Sequence, residues 1–232
     1  MKIEALQKLT LLDYPGKMAA TVFTYGCNLR CPFCHNALLV TEKSEGGMDT
    51  QEVLDFLFKR KGMLEGVCVT GGEALMQPDI EDFIKAIKDM GFSVKLDTNG
   101  TLPKKLKSIV RKGLVDYVAM DIKNCREKYA LTSGKTCLDL SAIDESISFL
   151  LSGEVEAEFR TTVVKNFHTE EDLLKITDWI SGCDRYFLQQ FVDSGNLIDQ
   201  SVSGYTDEEL TAMYKQVKRK LPVTKLRGIT EN

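Results

Sequence analysis

Three cysteines near the start of the chain have the spacing of a metal-binding loop. Cys27, Cys31 and Cys34 form the pattern C-x3-C-x2-C. Three thiolates at this spacing fit on one short loop and can converge on one metal centre. Thiolates are soft ligands that suit an iron–sulfur cluster or zinc. A cubane held by three cysteines leaves one iron without a protein ligand, and such open metal positions are where substrates bind.

A zinc site is the chemical alternative at this loop. His35 follows Cys34 directly and could complete a set of three thiolates and one imidazole. Adjacent residues rarely point at the same metal, however, and this disfavours zinc. The remaining cysteines form no second C-x2-C pair and stand at Cys68, Cys125, Cys137 and Cys183. We therefore expect one metal centre, and we expect Cys68, which falls within a strand, to pack in the core.

The elements that must position this loop alternate between strands and helices. Apolar, β-branched runs predict strands at 20–25, 67–70, 92–97, 117–121, 158–164 and 186–191. Amphipathic stretches predict helices at 51–61, 79–90, 103–112, 139–152, 170–181 and 206–219. This alternation indicates the α/β class, as a partial (βα)6 TIM-like barrel with a mainly parallel sheet or as an open doubly wound sheet. No repeat or linker divides the chain, so residues 1–232 form one predicted domain, with the cysteine loop at 26–36.

In both architectures, the active site lies at the carboxyl ends of the strands. A glycine pair occupies this position after the second predicted strand. Gly71 and Gly72 would let a ligand approach the backbone closely, and the acid of Glu73 would complement an ammonium group. A tight turn before a helix is the alternative interpretation.

Charged residues belong to the next three predicted strands. Asp97 and Thr98 lie at the end of the third strand, while Asp121 and Lys123 lie at the end of the fourth. Acids at adjacent strand ends would converge on the mouth of a barrel, although each could instead cap a helix. Arg160 lies among apolar neighbours in the fifth strand. An inward arginine needs an anionic partner, which is either a ligand carboxylate or a structural partner such as Asp121.

The composition is that of an ordinary globular chain. Hydrophobic residues make up 43% of the 232 residues and charged residues 28%, and the net charge of −4 arises from cations spread among acids. This distribution argues against nucleic-acid binding. No run approaches the ~18 apolar residues of a membrane span, so no membrane partner is expected. Seven cysteines without an export signal favour a reducing, cytoplasmic location.

The cysteine loop and its surroundings resemble a known family. C-x3-C-x2-C after the first strand of a (βα) chain is the signature of the radical S-adenosylmethionine (SAM) superfamily. The segment GCNLRCPFCHN at 26–36 resembles the glycyl-radical-enzyme activases in particular, and LDYPGK at 12–17 is similar to their Asp-x-Pro-Gly segment. As a whole, the chain most resembles the longer form of the anaerobic ribonucleoside-triphosphate reductase activating proteins.

This resemblance implies a cofactor, a reaction and partners. The cysteines would hold a [4Fe–4S] cluster, and the amino and carboxylate groups of SAM would chelate its free iron. One electron would then cleave SAM to methionine and a 5′-deoxyadenosyl radical, which would abstract an α-hydrogen from a glycine of a partner protein. The implied partner is a glycyl radical enzyme, the anaerobic ribonucleotide reductase, and the implied electron donor is flavodoxin or ferredoxin. Because the abstraction is homolytic, no general base is expected.

The resemblance also assigns residues to SAM. The adenine is expected beside Phe33, for which plain core packing is the alternative. The amino group is expected at the Gly71–Glu73 turn. The remaining contacts are expected to face SAM or to hold a monovalent cation near its carboxylate, and they are Asp97, Thr98, Asp121 and Lys123, with Arg160 as a further candidate for the carboxylate.

The chain departs from the family after the sixth predicted strand. Some activases carry a histidine there, whereas this chain has FVD at 191–193. The resemblance therefore assigns no SAM contact to the residues after this strand. One of Gln189 and Gln190 must face inward. His168, beside a helix start, is expected to be a surface or capping residue.

Two other functions remain open from the sequence. A radical SAM enzyme acting on a small molecule, as the deazapurine-forming synthases do, would share the cluster and SAM residues. A zinc-binding module without catalysis would share only the cysteine loop.

Overall fold

Eight strands form one sheet whose spatial order follows the chain. The computed structural model describes residues 1–41 and 47–229, so residues 42–46 and 230–232 of the predicted domain lie outside the described residues. The strands are β1 (Ile3–Thr10), β2 (Ala19–Thr24), β3 (Gly66–Gly71), β4 (Ser93–Thr98), β5 (Tyr117–Asp121), β6 (Glu156–Val163), β7 (Tyr186–Gln190) and β8 (Thr224–Arg227). β1 pairs antiparallel with β2, and all later pairs are parallel. The α/β class and the mainly parallel sheet of a partial TIM-like barrel are confirmed.

The helices in the described part of the chain lie between the strands. They are α1 (Leu38–Thr41), α2 (Thr50–Lys59), α3 (Ile80–Asp89), α4 (Pro103–Arg111), α5 (Tyr129–Ser133), α6 (Ser141–Leu151), α7 (Glu170–Trp179) and α8 (Asp207–Lys220). All six predicted helices are confirmed to within two residues at each end, whereas α1 and α5 were not predicted. Three of the predicted helices begin with complete capping boxes, formed by Asp49 with Glu52, Thr169 with Asp172, and Thr206 with Glu209.

Two strands were not predicted, and both lie at the edges of the sheet. β1 has the sequence IEALQKLT, and most of its side chains are exposed or half-buried, so its apolar pattern is weak. β8 is only four residues long. Strands at an edge contact one neighbour instead of two, and they therefore need fewer apolar residues than central strands.

The apolar core leaves the carboxyl ends of the strands free for a site. Side chains of the central strands and the surrounding helices pack into one large cluster. At the amino ends, the buried ring of Tyr14 fills the space that a Cβ on Gly66 would take, and it lies 6.1 Å from the ring of Tyr117. The loop between β1 and β2 thus closes this end of the sheet. None of the helices in residues 1–41 and 47–229 is both long enough and apolar enough to cross a bilayer.

Candidate active site

A cavity of about 390 Å³ opens at the carboxyl ends of the parallel strands. Eleven of the twelve predicted site residues line it, and they are Cys27, Cys31, Phe33, Cys34, Gly71, Gly72, Asp97, Thr98, Asp121, Lys123 and Arg160. Their positions range from 27 to 160, and they meet because consecutive parallel strands end at the same edge of the sheet. Glu73 is the exception and lies behind the cavity wall.

The cysteine loop follows β2 and is held by backbone hydrogen bonds to three other parts of the fold. Gly26 N–H donates to the oxygen of Leu39 in α1, and Gly26 oxygen accepts from Glu73 N–H at 2.8 Å. Arg30 N–H donates to the oxygen of Ser133 at the end of α5. The two helices that were not predicted, α1 and α5, therefore fix this loop.

Gly72 allows the cysteine loop to lie directly against the turn after β3. A Cβ on Gly72 would overlap the carbonyl group of Gly26, and a Cβ on Gly71, where φ is +129°, would overlap the backbone of Thr24. No other amino acid has both the conformation and the size that these positions need. The two glycines thus bring bare backbone to the cavity beside the three thiols.

All three thiols of the loop are reduced and largely shielded from water. Burial raises the pKa of Cys31 to about 11, and burial also raises the pKa values of Cys27 and Cys34. The positive charge of Lys123 acts in the opposite direction on all three thiols. Binding of a metal or cluster would displace the thiol protons, because the thiolate is the ligand.

The donor set fits an iron–sulfur cluster with one open iron. Among residues 1–41 and 47–229, three thiols on one loop are the only sulfur groups that line the cavity. The ring of His35 lies 5.6 Å from that of Phe191. In the described parts of the chain, no three His, Cys, Asp or Glu side chains are grouped closely enough to hold a single metal ion. The volume of the cavity is within the range of small-ligand sites.

Five charges alternate in sign across β4, β5 and β6, of which Lys95 is buried and the other four are half-buried. Lys95 pairs with one carboxylate oxygen of Asp97, and Arg160 Nη1 lies 3.2 Å from the other. Arg160 Nε lies 2.9 Å from Asp121 Oδ1, and Lys123 Nζ lies 3.0 Å from Asp121 Oδ2. The alternative interpretation of Arg160, an ion pair with Asp121, is therefore confirmed, and it extends to Asp97.

Within this chain of ion pairs, the charge of each residue stabilises the ionised form of its neighbours. Burial acts to raise the pKa of Asp97 and Asp121, but Arg160 and the adjacent lysine lower it more in each case. Burial likewise acts to lower the pKa of Lys123, and Asp121 raises it. Two cations and, with Asp13, three carboxylates line the cavity, so its wall carries no surplus of positive charge. Lys123, at the end of the chain of ion pairs, still offers an ammonium group to an anionic group of a ligand.

Glu73 lies behind the wall of the cavity and accepts three hydrogen bonds from the protein. The donors are the Thr98 hydroxyl at 2.9 Å, Asn99 N–H at 2.7 Å and Leu75 N–H at 3.2 Å. Burial raises the pKa of Glu73 to about 7, although these hydrogen bonds act to lower it. The side chain links the turn after β3 to the end of β4 and does not reach the cavity as placed.

The prediction for His168 is wrong, because its side chain is fully buried. It belongs to the loop between β6 and α7, and its ring meets the ring of Phe33 edge-on at 6.1 Å. Phe33 is itself 4% exposed and touches Phe167 as well as the cavity. Thr169, and not His168, caps α7. The sequence favoured a surface residue because nothing in it showed that this loop folds under the cysteine loop.

Several residues at the cavity were not predicted. Asn99 Nδ2 lies 3.7 Å from Cys27 Sγ and 3.0 Å from Asn28 Oδ1, and Thr101 joins both asparagines through its hydroxyl. Asp13, which accepts a hydrogen bond of 2.6 Å from Thr21, also lines the cavity. The one sequence signal for Asn99 is its position directly after β4, at the carboxyl end of a parallel strand.

The last strands contribute Thr162 and Gln189 to the cavity wall. Gln190 instead donates a 2.6 Å hydrogen bond to the oxygen of Tyr205. The sequence required one glutamine to face inward, and the structure identifies it as Gln189.

Cys68 is fully buried, as expected, although its surroundings are not simply apolar. Its thiol lies 3.8 Å from the ammonium group of Lys95. Burial raises the pKa of Cys68 well above the usual range, so this cysteine remains a neutral thiol.

Comparison with known proteins gives a family for the chain. The family model described as the radical SAM superfamily matches residues 21–180. A relative named as a glycyl-radical enzyme activating enzyme of Methanocaldococcus jannaschii is 35% identical over 197 residues, which are 82% of this chain and 79% of the relative. The pyruvate formate-lyase-activating enzyme of Clostridium pasteurianum is 32% identical over 142 residues, which are 58% of each protein.

Solved structures show the same fold. Streptococcus suis SuiB bound to the precursor peptide SuiA superposes with a TM-score of 0.71 at 14% sequence identity. The match covers 88% of this chain and 47% of SuiB, so the chain spans about half the length of that protein. At this identity, the likeness concerns the fold alone.

Proposed function

The chain belongs to the radical SAM superfamily of enzymes, and on this basis we propose that it is an activase of a glycyl radical enzyme. It cleaves SAM reductively at a [4Fe–4S] cluster and abstracts an α-hydrogen from a glycine of its partner. The partner is anaerobic ribonucleoside-triphosphate reductase. The names of the M. jannaschii and C. pasteurianum relatives support the activase class, and the resemblance of the chain as a whole to the reductase activating proteins supports the partner.

One observation supports this function most strongly. The three thiols, the bare backbone of the two glycines and the ammonium group of Lys123 all border one cavity. A cluster needs the thiols, the amino group of SAM needs exposed backbone and the carboxylate of SAM needs the positive charge. A cluster with SAM bound to it has all three of these requirements at once.

The residues of the chain bind and orient these groups. When bound, the cluster and SAM supply an electron and a carbon radical that takes a hydrogen atom. Cys27, Cys31 and Cys34 hold the cluster, and Lys123, at the end of the chain of ion pairs, offers its charge to the SAM carboxylate. Phe33 packs against the adenine, and the buried walls exclude water from the radical.

Three further parts of the proposal concern a bound cation, the electron donor and the cellular location. Asp97, Thr98 and Asp121 hold a monovalent cation near the SAM carboxylate, because carboxylate and hydroxyl oxygens suit hard cations. Flavodoxin or ferredoxin donates the electron. The protein works in the cytoplasm, where its seven cysteines stay reduced.

The test is an anoxic electron paramagnetic resonance experiment. Reconstituted protein, dithionite and SAM are mixed with the host's anaerobic ribonucleotide reductase, and 5′-deoxyadenosine is quantified in the same tube. We expect a glycyl doublet on the reductase and stoichiometric deoxyadenosine. Cys31→Ala should abolish both signals, whereas Cys137→Ala, at an exposed cysteine away from the cavity, should leave both unchanged.

Other outcomes select the rival functions. Deoxyadenosine without a doublet would exclude this reductase and indicate a different glycyl radical enzyme or a small-molecule substrate. Anoxically purified protein that is brown, with absorbance at about 400 nm, contains an iron–sulfur cluster. A colourless protein with stoichiometric zinc would exclude the enzyme altogether.

A further inference from the structure

Two neighbouring polar side chains of the cavity wall make no hydrogen bond with the described part of the chain. Thr162 of β6 and Gln189 of β7 are directly opposite each other in the parallel register, and both line the cavity. Across residues 1–41 and 47–229, neither side chain makes a hydrogen bond. We propose that Thr162 and Gln189 bind the backbone of the substrate glycine loop.

Their lack of partners distinguishes them from the charged groups of the same cavity. Asp97, Asp121, Lys123 and Arg160 are joined in one chain of ion pairs, and Asp13 accepts a hydrogen bond from Thr21. Both side chains are half-buried and line the cavity, so their polar atoms are available to a ligand. One ligand that hydrogen-bonds to both would engage the amide and the hydroxyl together.

The chemistry of the pair matches a peptide. The side-chain amide of Gln189 contains one carbonyl acceptor and one NH₂ donor, the same neutral groups that a peptide bond offers, and Thr162 adds a hydroxyl that can donate or accept. A glycine has no side chain to recognise, so an enzyme that selects it must bind backbone N–H and C=O groups. Other parts of the cavity are better suited to SAM than this pair is. The charged end of SAM requires charged partners such as Lys123, and its adenine requires an aromatic ring such as that of Phe33.

The location of the pair also favours the substrate. The cysteine loop and the glycine pair follow β2 and β3, and the ion pairs span β4 to β6. Gln189 lies on β7, one strand from the edge strand β8. β1 and β8 are the two ends of the sheet in the described chain, and an open side of this kind can admit a polypeptide loop next to Gln189.

This inference rests on the proposed function, since it assumes a glycine-containing protein substrate. The test compares four variants, Gln189→Leu, Thr162→Val, Thr162→Ser and Gln190→Leu. Gln190→Leu makes the same chemical change at the adjacent position, whose side chain bonds Tyr205 away from the cavity. Four quantities are measured for each cluster-loaded protein: the KM for the reductase, the Kd for a ten-residue peptide copied from the reductase around its radical glycine, the Kd for SAM, and the melting temperature.

We expect Gln189→Leu to raise the KM for the reductase and the Kd for the peptide about tenfold, the effect of losing a hydrogen bond or two. Thr162→Val should raise both by a smaller factor, and Thr162→Ser should restore them. SAM affinity and deoxyadenosine formation without the reductase should stay within about twofold of wild type. Gln190→Leu should lower the melting temperature without changing either constant.

Other results would overturn the inference. Weaker SAM binding with unchanged peptide binding would place the pair on SAM, and unchanged constants throughout would show that it binds nothing. The proposed function fails separately. If the wild-type protein binds the peptide but produces no glycyl radical, and Gln189→Leu loses the peptide, the proposed radical chemistry is contradicted and the inference stands. A wild-type protein that binds no peptide overturns the inference.

Discussion

His168 Nε2 lies 2.8 Å from the backbone oxygen of Lys123, and this contact ties the loop after β6 to the end of β5. His168 Nδ1 accepts a hydrogen bond of 3.1 Å from Val164 N–H, so the neutral tautomer with hydrogen on Nε2 satisfies both contacts. Burial lowers the pKa of His168, which keeps this neutral form. One imidazole thereby fixes the backbone of Lys123 and packs against Phe33.

Replacement of His168 should affect both stability and SAM binding. His168→Leu leaves the buried carbonyl of Lys123 without a donor, and we expect it to lower the free energy of unfolding by about 1–3 kcal/mol. It should also raise the Kd for SAM, because Lys123 loses its anchor. His168→Gln, which retains a donor, should recover part of both losses. Urea unfolding and equilibrium SAM binding measure the two effects, and normal SAM binding in a destabilised His168→Leu protein would contradict the positioning role.

Arg160 should be essential to stability even without cofactors. Arg160→Met removes the cation between Asp97 and Asp121 and leaves two half-buried carboxylates with one lysine partner each. Breaking a fully buried ion pair from one side costs about 3–5 kcal/mol and an exposed pair about 0–1 kcal/mol, so we expect a loss of about 2–3 kcal/mol in urea unfolding of the cluster-free protein. Arg111→Met breaks an exposed pair with Glu154 and should change little. Equal effects of the two substitutions would show that the chain of ion pairs is not stabilising.

Glu73 should make stability decrease as pH rises. Its folded pKa of about 7 is higher than the ordinary value of 4.5, so between these values the folded protein binds more protons at this site than the unfolded chain does. The free energy of unfolding contributed by Glu73 is therefore greatest below pH 4.5 and is lost as pH rises to about 7. We expect the stability of wild type relative to Glu73→Gln to fall across this range in urea unfolding at several pH values. Comparison with the variant cancels all other titrating groups, and a constant difference would refute the raised pKa.

Gly72→Ala should prevent assembly of the cluster. A Cβ at this position would overlap the carbonyl of Gly26, which forms part of the backbone that sets the direction of the cysteine loop. We expect iron and sulfide content after anoxic reconstitution to fall to a small fraction of the wild-type value. Gly153→Ala is the matched control, because its positive φ costs about 1 kcal/mol but no atom lies within 4 Å of the new Cβ. Full iron loading in Gly72→Ala would show that the loop can shift without loss of the site.

The sequence determined the elements and the positions of most of the site. Apolar runs and capping boxes identified six strands and six helices, because central strands and amphipathic helices bury the residues that define their pattern. The rule that ligands bind at the carboxyl ends of parallel strands then brought residues as distant as Cys27 and Arg160 to one cavity. β1 and β8 escaped prediction because edge strands bury too little to be distinctive.

The tertiary structure alone decided which groups pair with each other. Lys95 and Asp97 are two residues apart in β4 and share one face of that strand, but only the packing of β4 against β5 and β6 shows that Arg160 joins Asp97 to Asp121. The burial of His168 depends on a loop folding beneath the cysteine loop, and a loop has no periodicity from which to read its path. The choice between Gln189 and Gln190 depends on strand register, where a shift of one residue exchanges the two faces. Spacing along the chain can show which residues share an edge, whereas only packing determines which of them remain free to bind a substrate.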